Sequence, residues 1–186
     1  MSKYDYFGTL DSLSRLSEQA VQTACSSPHR KSADPPSELR RACDKTVCGL
    51  EDALFSDFLP PMERETLAAC AHSLSRVVNE ATELISATPK DGFDNEEGEL
   101  CVRLASLLRD TVGMLQKISK PSVLPRTQAF RGLITEAREA HEHMLSRVRS
   151  GALPRTAATA IIQTGRLRNT LSEAFDCVVE VMLGNI

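Results

Sequence analysis

HSLSRVVNEATEL, residues 72–84, places Ser75, Asn79 and Glu83 four apart inside an apolar run of Leu74, Val77, Val78, Ala81 and Leu84. Spacings of three and four mark one face of a helix, so the stretch reads as an amphipathic helix with a polar column along its edge. Downstream by 97 residues, NTLSEAFDCVVEV (169–181) sets Ser172, Asp176 and Glu180 at the same offsets, with Leu171 matching Leu74. At that offset Asp44 also falls opposite His141. A match that extends beyond one helix is the mark of a repeated supersecondary unit. The repeat decides the expected fold, which is two copies of one helical unit.

Apolar spacing of three and four recurs along nearly the whole chain, with Pro and Gly clusters as punctuation. It predicts six helices. The first, about residues 5–26, carries Phe7, Leu10, Leu13, Leu16, Ala20 and Ala24, and SSPHRKSADPP ends it. Ser37 is the expected cap of the second, whose stripe is Leu39, Cys43, Val47, Leu50 and Leu54. LPP then turns the chain into a third, about 61–87, on Leu67, Cys70, Leu74, Val77, Val78, Ala81 and Leu84. TPKDGFDNEEGE is the clearest boundary, an acidic linker over about residues 88–98 whose carboxylates suit the positive end of the next helix. The fourth helix carries Leu100, Leu104, Leu107, Thr111, Leu115 and Ile118, and KPSVLP closes it. The fifth carries Phe130, Leu133, Ile134, Ala137, His141, Met144 and Val148; SGALP leads into the sixth, about 154–183, on Ile161, Ile162, Leu171, Phe175, Val178 and Met182. The short Pro-containing joints predict antiparallel hairpins between helices two and three and between five and six.

Composition agrees with an all-α fold. Aromatic residues are 4% of the chain and there is no Trp, as suits helix-on-helix packing by Leu, Ala, Val and Ile. A chain of 186 residues is long enough to bury a core without disulfides or a structural metal. No apolar run approaches the roughly 18 residues of a membrane span, and MSKYDYFGTLDSLSR lacks the basic-then-apolar form of a signal peptide. The expectation is a soluble, cytoplasmic protein with no membrane insertion. Cys25, Cys43, Cys48, Cys70, Cys101 and Cys177 are scattered, with no CxxC pair, and are expected to be reduced, packed thiols.

The net charge of −3 is unevenly spread: residues 1–100 carry 10 basic and 18 acidic side chains, residues 101–186 carry 12 and 7. Two half-bundles attracting one another across their seam account for this better than a basic face for phosphate or an acidic partner. No basic run with interleaved aromatics appears, as a nucleic-acid surface would want.

Assembled catalytic chemistry is scarce. A di-metal bundle enzyme uses Glu-x-x-His on two helices, yet none of His29, His72, His141 and His143 has a Glu three positions before it. Cys70 and His72, two apart, point to different helix faces and cannot form a nucleophile and base unaided. No Walker loop or GxGxxG is present, and EAREAHEH reads as a solvated face. The chain is therefore expected not to be an enzyme.

FLPPMERETLAACAHSLSRVVNEA, with Phe58, Pro61, Glu63, Arg64, Glu65 and Leu74, resembles the signature of PhoU-like phosphate-transport regulators, in particular the accessory proteins that accompany Pit-type phosphate permeases. TLSEAFDCVVEVM supports it at the other end. The resemblance implies one six-helix domain of two three-helix repeats, about 5–87 and 99–183. It also implies a cytoplasmic, often oligomeric protein, at most peripheral to the inner membrane face, that acts by contact with a phosphate permease or a sensor kinase.

The family's hallmark is an acidic pair four residues apart on helices three and six with a supporting Asp on helices two and five, where iron or zinc can bind. Carboxylates at i and i+4 share a face, so facing helices can surround a cation with oxygens. In the first repeat the pair is replaced by Ser75 and Asn79, with Arg76 beside them, so the resemblance implies a degenerate site there; Asp44 keeps its motif position. In the second, Ser172 replaces the first acid, Asp176 and Glu180 remain, and His141 stands for the supporting Asp. A residual metal site at His141, Asp176 and Glu180 is thus one expectation. A polar seam, with Asp176 and Glu180 hydrogen-bonded to arginines of neighbouring helices, is the other and the preferred one. The functional reading is a non-enzymatic accessory to phosphate transport. The alternatives are a metal-binding helical bundle and a purely structural helical adaptor.

Overall fold

A computed structural model of the chain describes residues 4–25, 36–58, 60–89, 95–115 and 123–184. They form six helices, α1 (Tyr6–Cys25), α2 (Pro36–Ser56), α3 (Arg64–Ala87), α4 (Glu96–Val112), α5 (Val123–Arg149) and α6 (Ala157–Gly184), with no strand among the described residues. Residues 26–35 of the first linker, 90–94 of the acidic one, and Ile118 with the KPS after it lie outside them.

Three boundaries differ from the sequence reading. α2 begins at Pro36, so Ser37 lies within its first turn and is not its cap; a proline at a helix start gives up only an amide that had no partner. The VLP of KPSVLP opens α5 for the same reason, and does not close the fourth helix. α4 starts inside the acidic run: the Asn95 side chain accepts a hydrogen bond from the Gly98 N–H at 3.0 Å, and Glu96, Glu97 and Glu99 fill the first turn. Those carboxylates face the positive end of the helix, so a run that looks like linker is a helix start. At the α5–α6 joint Gly151 takes φ of +78°, which a glycine adopts without strain, and the Leu153 N–H reaches back to the Arg147 carbonyl at 3.1 Å.

Side-chain pairs set the helix directions. His72 on Glu51 and Arg64 on the Asp57 carbonyl make α2 and α3 an antiparallel hairpin. Phe130 stacked on Phe175, with ring centroids 3.8 Å apart, does the same for α5 and α6. α1 packs on α2, α3 and α4, α4 on α5 and α6, and α3 on α6. Every α1–α2–α3 contact recurs as α4–α5–α6, which is the arrangement of two three-helix units joined through α1 with α4 and α3 with α6. The common core holds Leu10, Leu13, Leu74, Val77, Val78, Leu104, Leu108, Leu171, Phe175 and Val178. Burying each such side chain stabilises the fold by about 1.5–3 kcal/mol. At the start of α1 it is Tyr6, not Phe7, that enters this core, and its hydroxyl reaches Asp57 Oδ2 at 3.1 Å.

The cysteines are free thiols, with Cys43, Cys70 and Cys101 buried, and burial pushes the thiols of Cys25 and Cys70 up to about 12. Cys48 is exposed on α2, unlike the packed thiol expected there. No helix among the described residues is long and apolar enough to cross a membrane. Across the seam between the halves Glu18 pairs with Arg109 at 3.2 Å, in the sense the charge imbalance predicts, while Arg76 pairs with Glu173 in the opposite sense.

Candidate functional site

The polar column of α3 does not converge on a site. Ser75 is half-buried and hydrogen-bonds the Cys43 thiol of α2. Asn79 is exposed; it is its backbone carbonyl that accepts, from Arg40 Nη2 at 3.2 Å and from the Thr82 hydroxyl at 2.9 Å. Glu83, with Glu80, accepts from Gln163 of α6. Asp44 is exposed on α2.

In the second unit, Ser172 and Asp176 line a groove of about 340 Å³ between α5 and α6, opposite Arg131 and Arg138. Asp176 and Glu180 also line a larger groove of about 580 Å³ at the end of α6, against Pro61, Met62, Glu63 and Thr66. Neither carboxylate enters an ion pair among the described residues, so the arginine-bonded seam is seen only as the proximity of Arg131 and Arg138.

His141 is elsewhere. Its ring lies over Gly165, where a Cβ would sit 2.7 Å from Cε1, and its Nδ1–H donates to Glu97 Oε2 at 2.7 Å. Gly165 and Asp176 are 11 positions apart on α6, about 16 Å along the helix. His141, Asp176 and Glu180 thus do not share a site, and among the described residues no three His, Cys, Asp or Glu side chains gather as a metal would require. The iron or zinc that the family resemblance implies does not fit the residues present: the His141 ring is held at Gly165, and the two acids stand about three helical turns further along α6.

The structure instead assembles a buried network that the sequence reading missed. Glu97 of α4 is 0% exposed; Arg168 Nη1 donates to its Oε1 at 2.8 Å while His141 holds Oε2. The rest of the Arg168 guanidinium is bonded to the Asn169 side chain. At the rim Asn95 donates to the Thr164 hydroxyl at 3.1 Å, and Glu96 pairs with His143 and Arg147 of α5. Burial pushes the Glu97 carboxyl above the ordinary carboxylate range, and the hydrogen bond and charge of His141 and the charge of Arg168 draw it part of the way back.

A signal for this network does exist in the sequence. Glu97 continues the stripe of Cys101, Leu104 and Leu108; Arg168 sits between Ile161, Thr164, Leu171 and Phe175; His141 sits between Ala137 and Met144. Three ionisable residues thus occupy positions where three neighbouring helices otherwise bury apolar side chains. Both Glu97 oxygens are occupied and no face of the carboxylate meets solvent. Chemically the trio is a clasp that fixes α4, α5 and α6 against one another, since a buried charge is tolerated only with its partners in place. The first unit has no counterpart, for Ala71 and Ala68 stand where Arg168 and Gly165 do.

No protein-family model matches the chain, and no curated protein matches it in sequence. Two solved structures from Shewanella oneidensis MR-1 share its fold. One is described as a PhoU-like phosphate regulatory protein; it superposes with a TM-score of 0.68 at 11% identity, over 97% of this chain and 96% of that one. The other, a PhoU-like protein, gives 0.63 at 12% identity, over 97% of each chain. At such identities the likeness establishes the fold, a PhoU-like six-helix bundle, as the FLPPMERETL hairpin implied.

Proposed function

We propose that this chain is a non-enzymatic accessory or regulatory protein of inorganic phosphate transport. It works through protein contact in the cytoplasm, at most peripheral to the inner membrane face, with a phosphate permease or a sensor kinase as partner. The observation that carries the reading is the fold, shared along 97% of the chain with a protein described as a phosphate regulator. The chemistry of the interior agrees with it. The fully buried carboxylate of Glu97 has both oxygens engaged by its own chain and serves to hold helices together. Asp44, Ser75, Asn79 and Ser172 belong to the same reading as positions of a degenerate metal motif, of which Asp44 keeps its acid.

The test is phosphate uptake in a strain lacking the gene, together with co-purification of a tagged copy with a phosphate permease. Altered uptake restored by the wild-type gene is expected. Unchanged uptake with no permease recovered would sink the role and leave a structural adaptor.

A further inference from the structure

Five large apolar side chains stand in solvent among the described residues, and four belong to one end of the bundle: Phe55 and Phe58, each 89% exposed, Leu124 at 66% and Leu183 at 59%. That end is where α2 and α6 finish and where α3 and α5 begin. Phe58 leads into the Pro60–Pro61 turn. Gly184 lies against Met62, where an added Cβ would be 3.3 Å from its terminal methyl. The α5–α6 register, set by Phe130 on Phe175, brings Leu124 level with the last turns of α6. Of the exposed apolar residues at this end, Leu183 lines a groove of about 580 Å³ together with Pro61, Met62 and Val179, and Phe58 stands three positions before Pro61.

The ionisable groups of that groove are all acidic: Glu63, Asp176 and Glu180. None takes part in an ion pair among the described residues. Solvent-exposed apolar clusters on this scale mark contact surfaces, and the charge beside them selects the occupant. Three carboxylates oppose an anionic lipid headgroup and attract a cation. A groove between two helix ends, lined by Met62, Val179 and Leu183 beside its carboxylates, suits the apolar face of a helix laid into it.

We propose that this end of the bundle docks a basic amphipathic helix of a partner protein. Its apolar face lies on Met62, Val179, Leu183 and Phe58, and its Lys or Arg residues reach Glu63, Asp176 and Glu180. The proposal rests on the contact role proposed above and assigns it a surface and a partner chemistry.

The test uses the full chain and a fluorescent synthetic helix of Leu and Lys, about 18 residues or five turns long. Its binding is followed by anisotropy. A second peptide with Glu in place of Lys and vesicles rich in phosphatidylglycerol serve as comparisons. The Lys peptide is expected to bind, and to bind at least about tenfold more weakly, or about 1.4 kcal/mol, to a Glu63→Gln, Asp176→Asn, Glu180→Gln variant and to a Phe58→Ser, Leu183→Ser variant. A charge-matched control at the opposite end, Glu99→Gln, Glu139→Gln, Glu142→Gln, should bind as the wild type does. All these side chains are exposed or at the rim, and circular dichroism checks that each variant is folded. Equal loss in the control, tight binding of the Glu peptide, or preference for the vesicles would overturn the proposal. Should deletion of the gene alter phosphate uptake while both end variants restore it fully, the surface is wrong and the role stands.

Discussion

Arg76 and Glu173 stand 97 residues apart, at equivalent positions of the two three-helix units, and are ion-paired at 2.7 Å where α3 crosses α6. A residue that meets its own counterpart lies on the pseudo-two-fold axis between the units. In a symmetric pair of identical chains the same residue would meet itself, and two arginines or two glutamates there would repel. An internal repeat escapes that constraint, because the copies can diverge to opposite charges.

The energetic weight of this pair is small, since both side chains are more than half exposed and screened by solvent. Arg76→Glu is expected to cost less than about 1 kcal/mol, and the exchange Arg76→Glu with Glu173→Arg to restore the loss. Urea midpoints in low and high salt measure it. A larger, salt-independent loss would mean that Arg76 acts by packing instead.

Truncating the clasp should be far more damaging. Glu97→Ala leaves Arg168 as a buried, uncompensated charge, and about 3–5 kcal/mol of stability is expected to go. Replacing Glu97, His141 and Arg168 together by Leu should cost much less than Glu97→Ala, because each sits on an apolar stripe. Chemical denaturation of the single and triple variants decides this, and a triple variant as damaged as the single one would show that the trio is needed for more than burial.

Gly165→Ala raises helix propensity, yet its Cβ would lie 2.7 Å from His141 Cε1 and 3.1 Å from Nδ1. The ring must move, and its bond to Glu97 with it, so a net loss of about 1–2 kcal/mol is expected. In a His141→Ala background the same substitution should become neutral or stabilising. Non-additive thermal midpoints across the four proteins are the signature.

The Glu97 carboxyl also sets a pH dependence. Its folded-state pKa is raised, chiefly by burial, so the stability it contributes is fully present below the unfolded carboxylate pKa and is lost as pH rises through the folded value. Glu97→Gln lacks that loss. Relative to wild type, its stability penalty should therefore shrink on going from acid toward neutral pH in parallel urea titrations. A penalty that grows instead would show that His141 and Arg168 outweigh burial.

Because His141 and the Asp176–Glu180 pair occupy different parts of α6's surroundings, zinc or ferrous iron should not bind them stoichiometrically as a set. Elemental analysis of protein purified without a chelating tag, beside Asp176→Ala, checks this. Stoichiometric metal lost in that variant would restore the metal-binding reading.

The sequence by itself determined the six helices, their hairpins and the repeat. Those rest on local periodicity and on proline and glycine, whose effects are backbone properties of the residues themselves. It also showed that Ser75, Asn79 and Ser172 are uncharged members of the two polar columns. Tertiary structure alone decided which polar residues meet. His141 looked equivalent to Asp44 and therefore close to Asp176 and Glu180, but the antiparallel register of α5 on α6 carries it about two helical turns past Ser172 along α6, to Gly165. Glu97 looked like linker because acidic runs so often are, whereas the Asn95 cap turned it into the first turn of a helix facing Arg168. A periodic pattern states which face a side chain takes. The level at which it meets its neighbour depends on how two helices slide past one another, and that is fixed by packing across the whole interface.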